Sequence, residues 1–512
     1  MISPVTDHVP AVRVHRLLLM GLACVLLAAG TAVAMAWAVR PFTTGSVGPD
    51  AAAPVIHWAH LLRLDPIESG LTQTAKPLLT LLYGPVHAVA GWQGVALAAV
   101  AAAGLCVALG SLLAFRVAGP VAGGFVAVAF LTSPVMLRDV VLAYAAPWAA
   151  LALIGAGLAV TARPRRWGFA GVLLAMAALA RPEALAVTGV ACGAVVAAET
   201  MARLRGGRRP PRRAYLVFVG LAAIPVFMLH DAIVMGDPTF WLETAQRNSA
   251  AAGPAKTLSE ITLFIARHLA TYVPILVVAG LGALLLAVRS EWPLLVGVLG
   301  STVGIALFFV LVGARGTSVP LRYFGLMDLG FVFAAGIGIA ALDVPFLRRS
   351  LRTIRTTFPG ASVLLLLATG AFIAAIVAPN WFVNRNNLVN ARGQVSLHEN
   401  QAVAMEAIRE SVAANAGAAV RVFVPPRLRA QSIVDLGLPL SDVVRGLPEY
   451  VDAASWQLEP GSILYHDRAD DIASPAWTSV EIDEPREVGD VRLVPLVADQ
   501  DRGMWVIRVD PL

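Results

Sequence analysis

The chain has 512 residues, of which 58% are hydrophobic and only 14% charged, against roughly a quarter charged in an ordinary soluble domain. That composition excludes a soluble globular protein. The formal net charge of +6 does not mark a nucleic-acid binder either, because the arginine clusters fall between apolar runs and not on one soluble face, which is the positive-inside pattern.

Runs such as 95–115 and 361–378 are long enough to cross a hydrocarbon core of ~30 Å as helices. They lack the period-two alternation of barrel strands, so helices must satisfy their backbone in the membrane. The pattern predicts eleven spans, at 17–39, 92–115, 119–135, 145–161, 168–180, 183–201, 215–234, 270–288, 292–313, 322–342 and 361–378. The first follows Arg13 and Arg16 and is read as an uncleaved helix, since it is too long for the apolar region of a signal peptide. Cys24, Cys106 and Cys192 each lie inside an apolar segment and are read as buried thiols.

With the N-terminus placed in the cytoplasm, the cytoplasmic segments hold seventeen basic residues against four acidic ones. Residues 168–201 are too long for one helix and short for two. The basic clusters at 163–166 and 203–213 must share a side, which requires two crossings. The break is placed at Arg181-Pro182, where proline removes a backbone donor and disfavours helix just before it. Arg181 and Glu183 then lie below the membrane surface, where ionisable residues line cavities or pair with one another.

The first outer loop, 41–91, holds Asp50, His57, His60, Arg63, Asp65, Glu68 and Lys76, one of two lysines in the chain. Loops of that length are commonly functional, and apolar spacing over 51–63 predicts a helix on the membrane surface. Arg138-Asp139 follows the third span, and His230-Asp231 and Gly236-Asp237-Pro238 follow the seventh. Gly-Asp-Pro is a turn signal, so Asp237 is read first as a turn residue. Arg322-Tyr323 opens the tenth span, with Asp328 deeper in apolar surroundings. After residue 383 the composition changes. An amphipathic helix is expected over 398–414 and strands over 420–424, 461–465 and 505–509.

The architecture is therefore an α-helical polytopic membrane protein of about eleven transmembrane helices (1–383), followed by a C-terminal extracytoplasmic α/β domain (384–512). The candidate polar residues concentrate on the outer face. A carboxylate beside several cations there suits transfer from a lipid-linked phosphosugar. The carboxylate would deprotonate an acceptor hydroxyl, and the cations would hold the leaving phosphate.

These residues resemble the GT-C superfamily of membrane glycosyltransferases, which includes protein O-mannosyltransferases, lipid A aminoarabinose transferases and actinobacterial arabinofuranosyltransferases. The resemblance rests on Asp50, Lys76-Pro77-Leu78, Arg181-Pro182-Glu183, Gly236-Asp237-Pro238 and Arg322-Tyr323, in that order, over roughly residues 17–380. It implies that Asp50 is the general base, with Asp65 and Glu68 as fallback bases, and that Lys76 and Arg322, with Arg181, contact the donor phosphate. Glu183, Asp139, Asp237, His57 and Tyr323 would line or brace the site. The implied partners are a polyprenyl-phosphate-linked sugar, a cell-envelope acceptor and the bilayer, in the plasma membrane. No certain cofactor is implied, and a requirement for a divalent cation is left open. One departure is that Asp50 stands in Pro49-Asp50-Ala51, without the adjacent second carboxylate of the family. A non-catalytic envelope-assembly protein of the same fold, or a lipid or glycan transporter, are the alternative readings.

Overall fold

A computed structural model of the protein describes residues 29–37, 39–40, 47–64, 67, 76–205, 209–241, 257–313, 324–342, 361–414, 420–424, 430–438, 442–445, 460–467, 481–488 and 490–512. The described chain is mostly helical. Helix α1 (residues 29–37) packs so closely on Gly104 that a Cβ there would collide with the Ala32 backbone, and Thr31 Oγ1 donates to the Gly104 carbonyl at 2.8 Å. Close approach through small residues is the usual way membrane helices gain contact.

The loop helix expected over 51–63 is α2 (Pro49–Arg63), with proline at its start, where the missing N–H is no loss. Helix α3 (Pro77–Ala118) is interrupted at Gly91, whose φ of 60° and ψ of −160° only glycine adopts readily. Its second part, after Gly91, is the span expected at 92–115. Helices α4 (Pro120–Leu131) and α5 (Pro134–Val141) meet at a 53° bend, and α6 (Ala146–Thr161) and α7 (Trp167–Ala180) follow.

The break at Arg181 falls where proline chemistry places it. Arg181 is extended, with φ −145° and ψ 112°, and a single 3-10 turn at Pro182–Ala184 opens α8 (Pro182–Arg205). Helix α9 (Arg212–Met235) begins as 3-10 and becomes α at Ala223. Helices α10 (Leu258–Ala270) and α11 (Val273–Val288) turn a corner of 87°, and α12 (Trp292–Gly313) contains a π turn at Gly300–Gly304. Helices α13 (Gly325–Leu342) and α14 (Ala361–Asn384) complete the apolar set. Among the described residues, four helices are long and apolar enough to cross a membrane, six if each bent pair counts as one span, beside shorter apolar helices such as α6 and α7.

After α14 the polar helix α15 (Asn386–Ala414) leads into a six-stranded sheet of order β2-β1-β3-β6-β5-β4, with helix α16 (Ala430–Leu436) following its first strand. The strands are β1 (Val422–Val424), β2 (Val443–Arg445), β3 (Ile463–Asp467), β4 (Arg486–Val488), β5 (Val491–Asp499) and β6 (Met504–Pro511). Strand β1 runs parallel to β2 and β3, and the remaining pairs are antiparallel.

This C-terminal part shares a core with the loop helix. Ala51, Val55 and Ile56 of α2 lie in one apolar cluster with Met405, Ile408 and Ile433. The Val47 amide donates to Gln431 Oε1 at 2.8 Å, and Trp92 Nε1 donates to Asp435 Oδ1 at 2.7 Å. The expectation for α2 was a helix lying on the membrane surface. Instead its apolar face is covered by α16 and α3, because a buried face of alanines and valines is better satisfied by protein than by an interface.

Candidate active site

Buried polar residues gather at the end of the bundle where α3 begins, opposite the arginine-rich loops at 163–166 and 209–213. At the head of α3, Lys76 is buried, and Thr80 Oγ1, one turn on, donates to the Lys76 carbonyl. Thr80 Oγ1 also lies 3.3 Å from His230 Nε2, on the last turns of α9, while His230 Nδ1 faces Asp231 Oδ1 at 3.2 Å. The second Asp231 oxygen accepts from the Trp241 amide at 2.7 Å. His57 of α2 completes this group, its ring centroid 5.4 Å from that of His230. It is 1% exposed, and neither ring nitrogen has a hydrogen bond among the described residues. Burial first, then the neighbouring His230, Lys76 and His60, hold its pKa well below the usual histidine value, so it is neutral at pH 7.

A second group is built on α5. Arg138 donates from Nε and Nη2 to Asp139 Oδ1, at 3.0 and 2.6 Å, with both residues buried. Oδ2 of Asp139 receives no hydrogen bond among the described residues. A charge buried this deeply persists only when paired, and Arg138 fixes the carboxylate by a forked contact. Asp139 faces the start of α13, where a Cβ on Gly325 would stand 3.5 Å from Oδ2. One turn further, Asp328 accepts from Tyr272 at 2.7 Å and lies 2.8 Å from His268 Nε2. His268 and Tyr272 flank the α10–α11 corner, and Phe324 stacks on the His268 ring at 4.5 Å.

The two groups meet through the backbone. The Gly48 amide donates to the Leu142 carbonyl at 2.8 Å, and the Leu142 amide to the Arg138 carbonyl at 3.0 Å. Gly48 caps α2, so Asp50 in the first turn of that helix is brought beside the end of α5 that carries Asp139. The side chain of Asp50 lies outside what the structure describes, as do Asp65, Glu68, Arg322 and Tyr323.

Of the other residues singled out in the sequence, Arg181 and Glu183 form an ion pair at 2.8 Å, with Arg181 1% exposed. This is the pairing that low dielectric demands. Asp237 Oδ1 accepts from both the amide and the hydroxyl of Thr239 at 2.8 Å, a turn-forming role. Among the described residues, no three His, Cys, Asp or Glu side chains converge as metal ligands.

His268, Tyr272 and Thr80 were not singled out in the sequence. The Pro274 that follows the corner was a faint signal for a helix break, but nothing in linear order links residue 268 to residue 328.

From Leu78, two residues after Lys76, a groove of about 650 Å³ opens between α3, α6 and α7. Its near end is Leu78, Leu82 and Trp148, whose ring N–H donates to the Tyr83 hydroxyl at 2.9 Å. It passes Leu105 and Leu158 and ends at Arg116 and Arg166, so it runs the depth of the apolar layer.

No known family model and no curated protein sequence matches the chain. Its fold is similar to that of ArnT from Cupriavidus metallidurans bound to undecaprenyl phosphate, with a TM-score of 0.59 at 13% identity, covering 94% of this chain and 97% of that one. The apo state of the same protein compares equally, with a TM-score of 0.59, 13% identity and coverage of 95% and 98%. The chain thus has the ArnT fold, a helical membrane bundle carrying a small C-terminal sheet, which agrees with the fold class expected from the sequence.

Proposed function

We propose that the chain is an inverting glycosyltransferase that moves a sugar from a polyprenyl-phosphate donor to a cell-envelope acceptor on the extracytoplasmic face. The observation that carries this reading is the groove that starts two residues from buried Lys76 and runs down the apolar layer. Its lining fits a long apolar tail, and Lys76, two residues before Leu78, would meet an anionic head at that end; a polyprenyl phosphate has both parts. The likeness to a protein crystallised with undecaprenyl phosphate supports the same donor class.

In this reading Lys76 holds the donor phosphate, with Arg322 as a second cation, and the prenyl tail follows Leu78 and Leu82 into the groove. The acceptor oxygen attacks the anomeric carbon on the face opposite the phosphate. The bond from that carbon to the phosphate oxygen breaks, its electron pair leaves on the lipid phosphate, and the configuration inverts. The hydroxyl proton passes to a carboxylate. Asp50 is the first candidate, and Asp139 supplies from α5 the second carboxylate that the sequence lacks next to Asp50. Arg138 keeps one Asp139 oxygen occupied and leaves the other toward α13. Donors and charges placed in advance of the reaction stabilise the developing phosphate charge without reorganisation.

The test is transfer from a radiolabelled polyprenyl-phosphate sugar to envelope extract by the purified full-length chain. Asp50→Asn, Asp139→Asn and Lys76→Ala are each expected to lower transfer by about 10²–10⁴-fold, the usual scale for a general base or a charge-stabilising group. Unchanged transfer in all three variants would rule the reading out.

A further inference from the structure

A second groove, of about 430 Å³, opens at the opposite, arginine-rich end of the bundle. Its rim brings together three loops distant in sequence through Arg165, Trp167, Pro211 and Trp292, and its floor reaches Gly330 of α13. Helix α6 separates it from the groove beside Lys76. Leu153, Ala156 and Gly157 face one, and Leu151, Gly155 and Leu158 face the other.

We propose that this groove holds one acyl chain of an anionic phospholipid, whose headgroup rests on Arg165. The lining is apolar and lies in the hydrocarbon layer, so water has too few polar partners to fill it, and a hydrocarbon chain is the available occupant. The choice of headgroup follows from charge. Arg163, Arg165, Arg166, Arg209, Arg212 and Arg213 are all exposed around this end. Of the acids there, Glu199 is shared by Arg203 at 2.9 Å and Arg209 at 3.8 Å, and Glu291 precedes Trp292 in the chain, so two carboxylates face the larger number of arginines. The Arg165 guanidinium lies 5.9 Å over the Trp167 ring. That contact holds the cation at the depth where indole rings meet lipid headgroups. Zwitterionic and anionic headgroups both carry a phosphate, but only an anionic one brings a net charge to set against this excess of exposed cations.

The proposal rests on the membrane reading of the chain and not on transfer activity, so the two can fail separately. The full-length chain, stripped of lipid in detergent, is titrated with phosphatidylglycerol or phosphatidylcholine and its bound lipid counted by native mass spectrometry. One phosphatidylglycerol is expected to bind at least about fivefold more tightly than phosphatidylcholine, the scale of one basic residue at a charged bilayer surface. Arg165→Ala should remove most of that preference.

Gly297 lines the groove, and a Cβ there meets no atom within 4 Å. Gly297→Leu should therefore fill the groove without disturbing the fold and abolish retention of both lipids, with an unchanged thermal midpoint as the control. Equal affinity for the two lipids, wild-type retention by Gly297→Leu, or displacement of bound phosphatidylglycerol by undecaprenyl phosphate would each overturn the proposal.

Discussion

His57 shows what a single buried residue contributes to the behaviour of the site. Its ring is enclosed, neutral and without a hydrogen bond among the described residues, next to a buried lysine and a second histidine. In the unfolded chain the same ring takes up a proton below about pH 6.5, whereas in the fold it resists protonation until well below that value. The unfolded state thus binds more protons as the pH falls below 6.5, and stability falls with it. The contribution is complete above pH 6.5 and lost on acidification, at up to about 1.4 kcal/mol per pH unit. His57→Leu is expected to flatten the decline of the thermal midpoint between pH 7 and pH 5 by that slope, and parallel curves for the two proteins would refute the account. The burial of His57 was not legible in the sequence, where it stands in a loop crowded with charge. It follows from α9 and the head of α3 closing on that face of α2, which sets His57 against His230 and Lys76. Asp139 was legible only as half of an adjacent pair, and its closeness to the first turn of α2 depends on a backbone bond from Gly48 to Leu142.

At the scale of elements, the sequence was most informative where one residue dictates backbone geometry. The Arg181-Pro182 break came from proline sterics and from the requirement that two arginine clusters share a side, and α7 and α8 part there. The strands at 422–424, 463–467 and 504–511 fell close to their predicted positions because short apolar, β-branched and aromatic runs stand out in a polar tail. The corner between α10 and α11 was not foreseen. A single apolar span from 270 fits composition equally well, and only the pairing of His268 and Tyr272 with Asp328 shows why the chain turns there. The packing of α11 on α13 was hidden for a similar reason. Gly282 and Gly338 allow these backbones to touch, and a Cβ on Gly282 would collide with the Ala334 carbonyl, as one on Gly338 would with that of Val278. Backbone atoms cannot move aside as a flexible side chain can. Gly282→Val is therefore expected to destabilise the chain by about 1–3 kcal/mol or more, read as a lowered thermal midpoint in detergent. Gly280→Val, two residues away, where a Cβ meets nothing within 4 Å, should leave that midpoint near wild type. Equal effects would show that the helices are not held by close contact at Gly282.

Across the whole molecule, the two ends of the bundle are built for different chemistry. One end keeps its ionisable groups buried and paired, as in Arg138–Asp139, Arg181–Glu183 and His268–Asp328, and the α15–α16 segment closes over it. The other end leaves its arginines exposed. The groove beside Lys76 connects them, and its length gives the proposed donor a means of recognition that does not involve the sugar. The tail leaves lipid and not water when it enters the groove, so its contribution is close packing and grows with the length of groove it fills; tail length should matter to binding and not to the chemical step. Leu105 faces this groove, is 37% exposed, and lies far from Lys76 along α3. Leu105→Trp is expected to narrow the groove and raise KM for an undecaprenyl-phosphate sugar by about tenfold, equivalent to ~1.4 kcal/mol, with kcat unchanged. A donor analogue carrying only two or three isoprene units would not reach Leu105, so its KM should be the same for both proteins. If the short and long donors were affected alike, the groove would not be the path of the tail, and Lys76 would have to bind its phosphate from another side of the bundle.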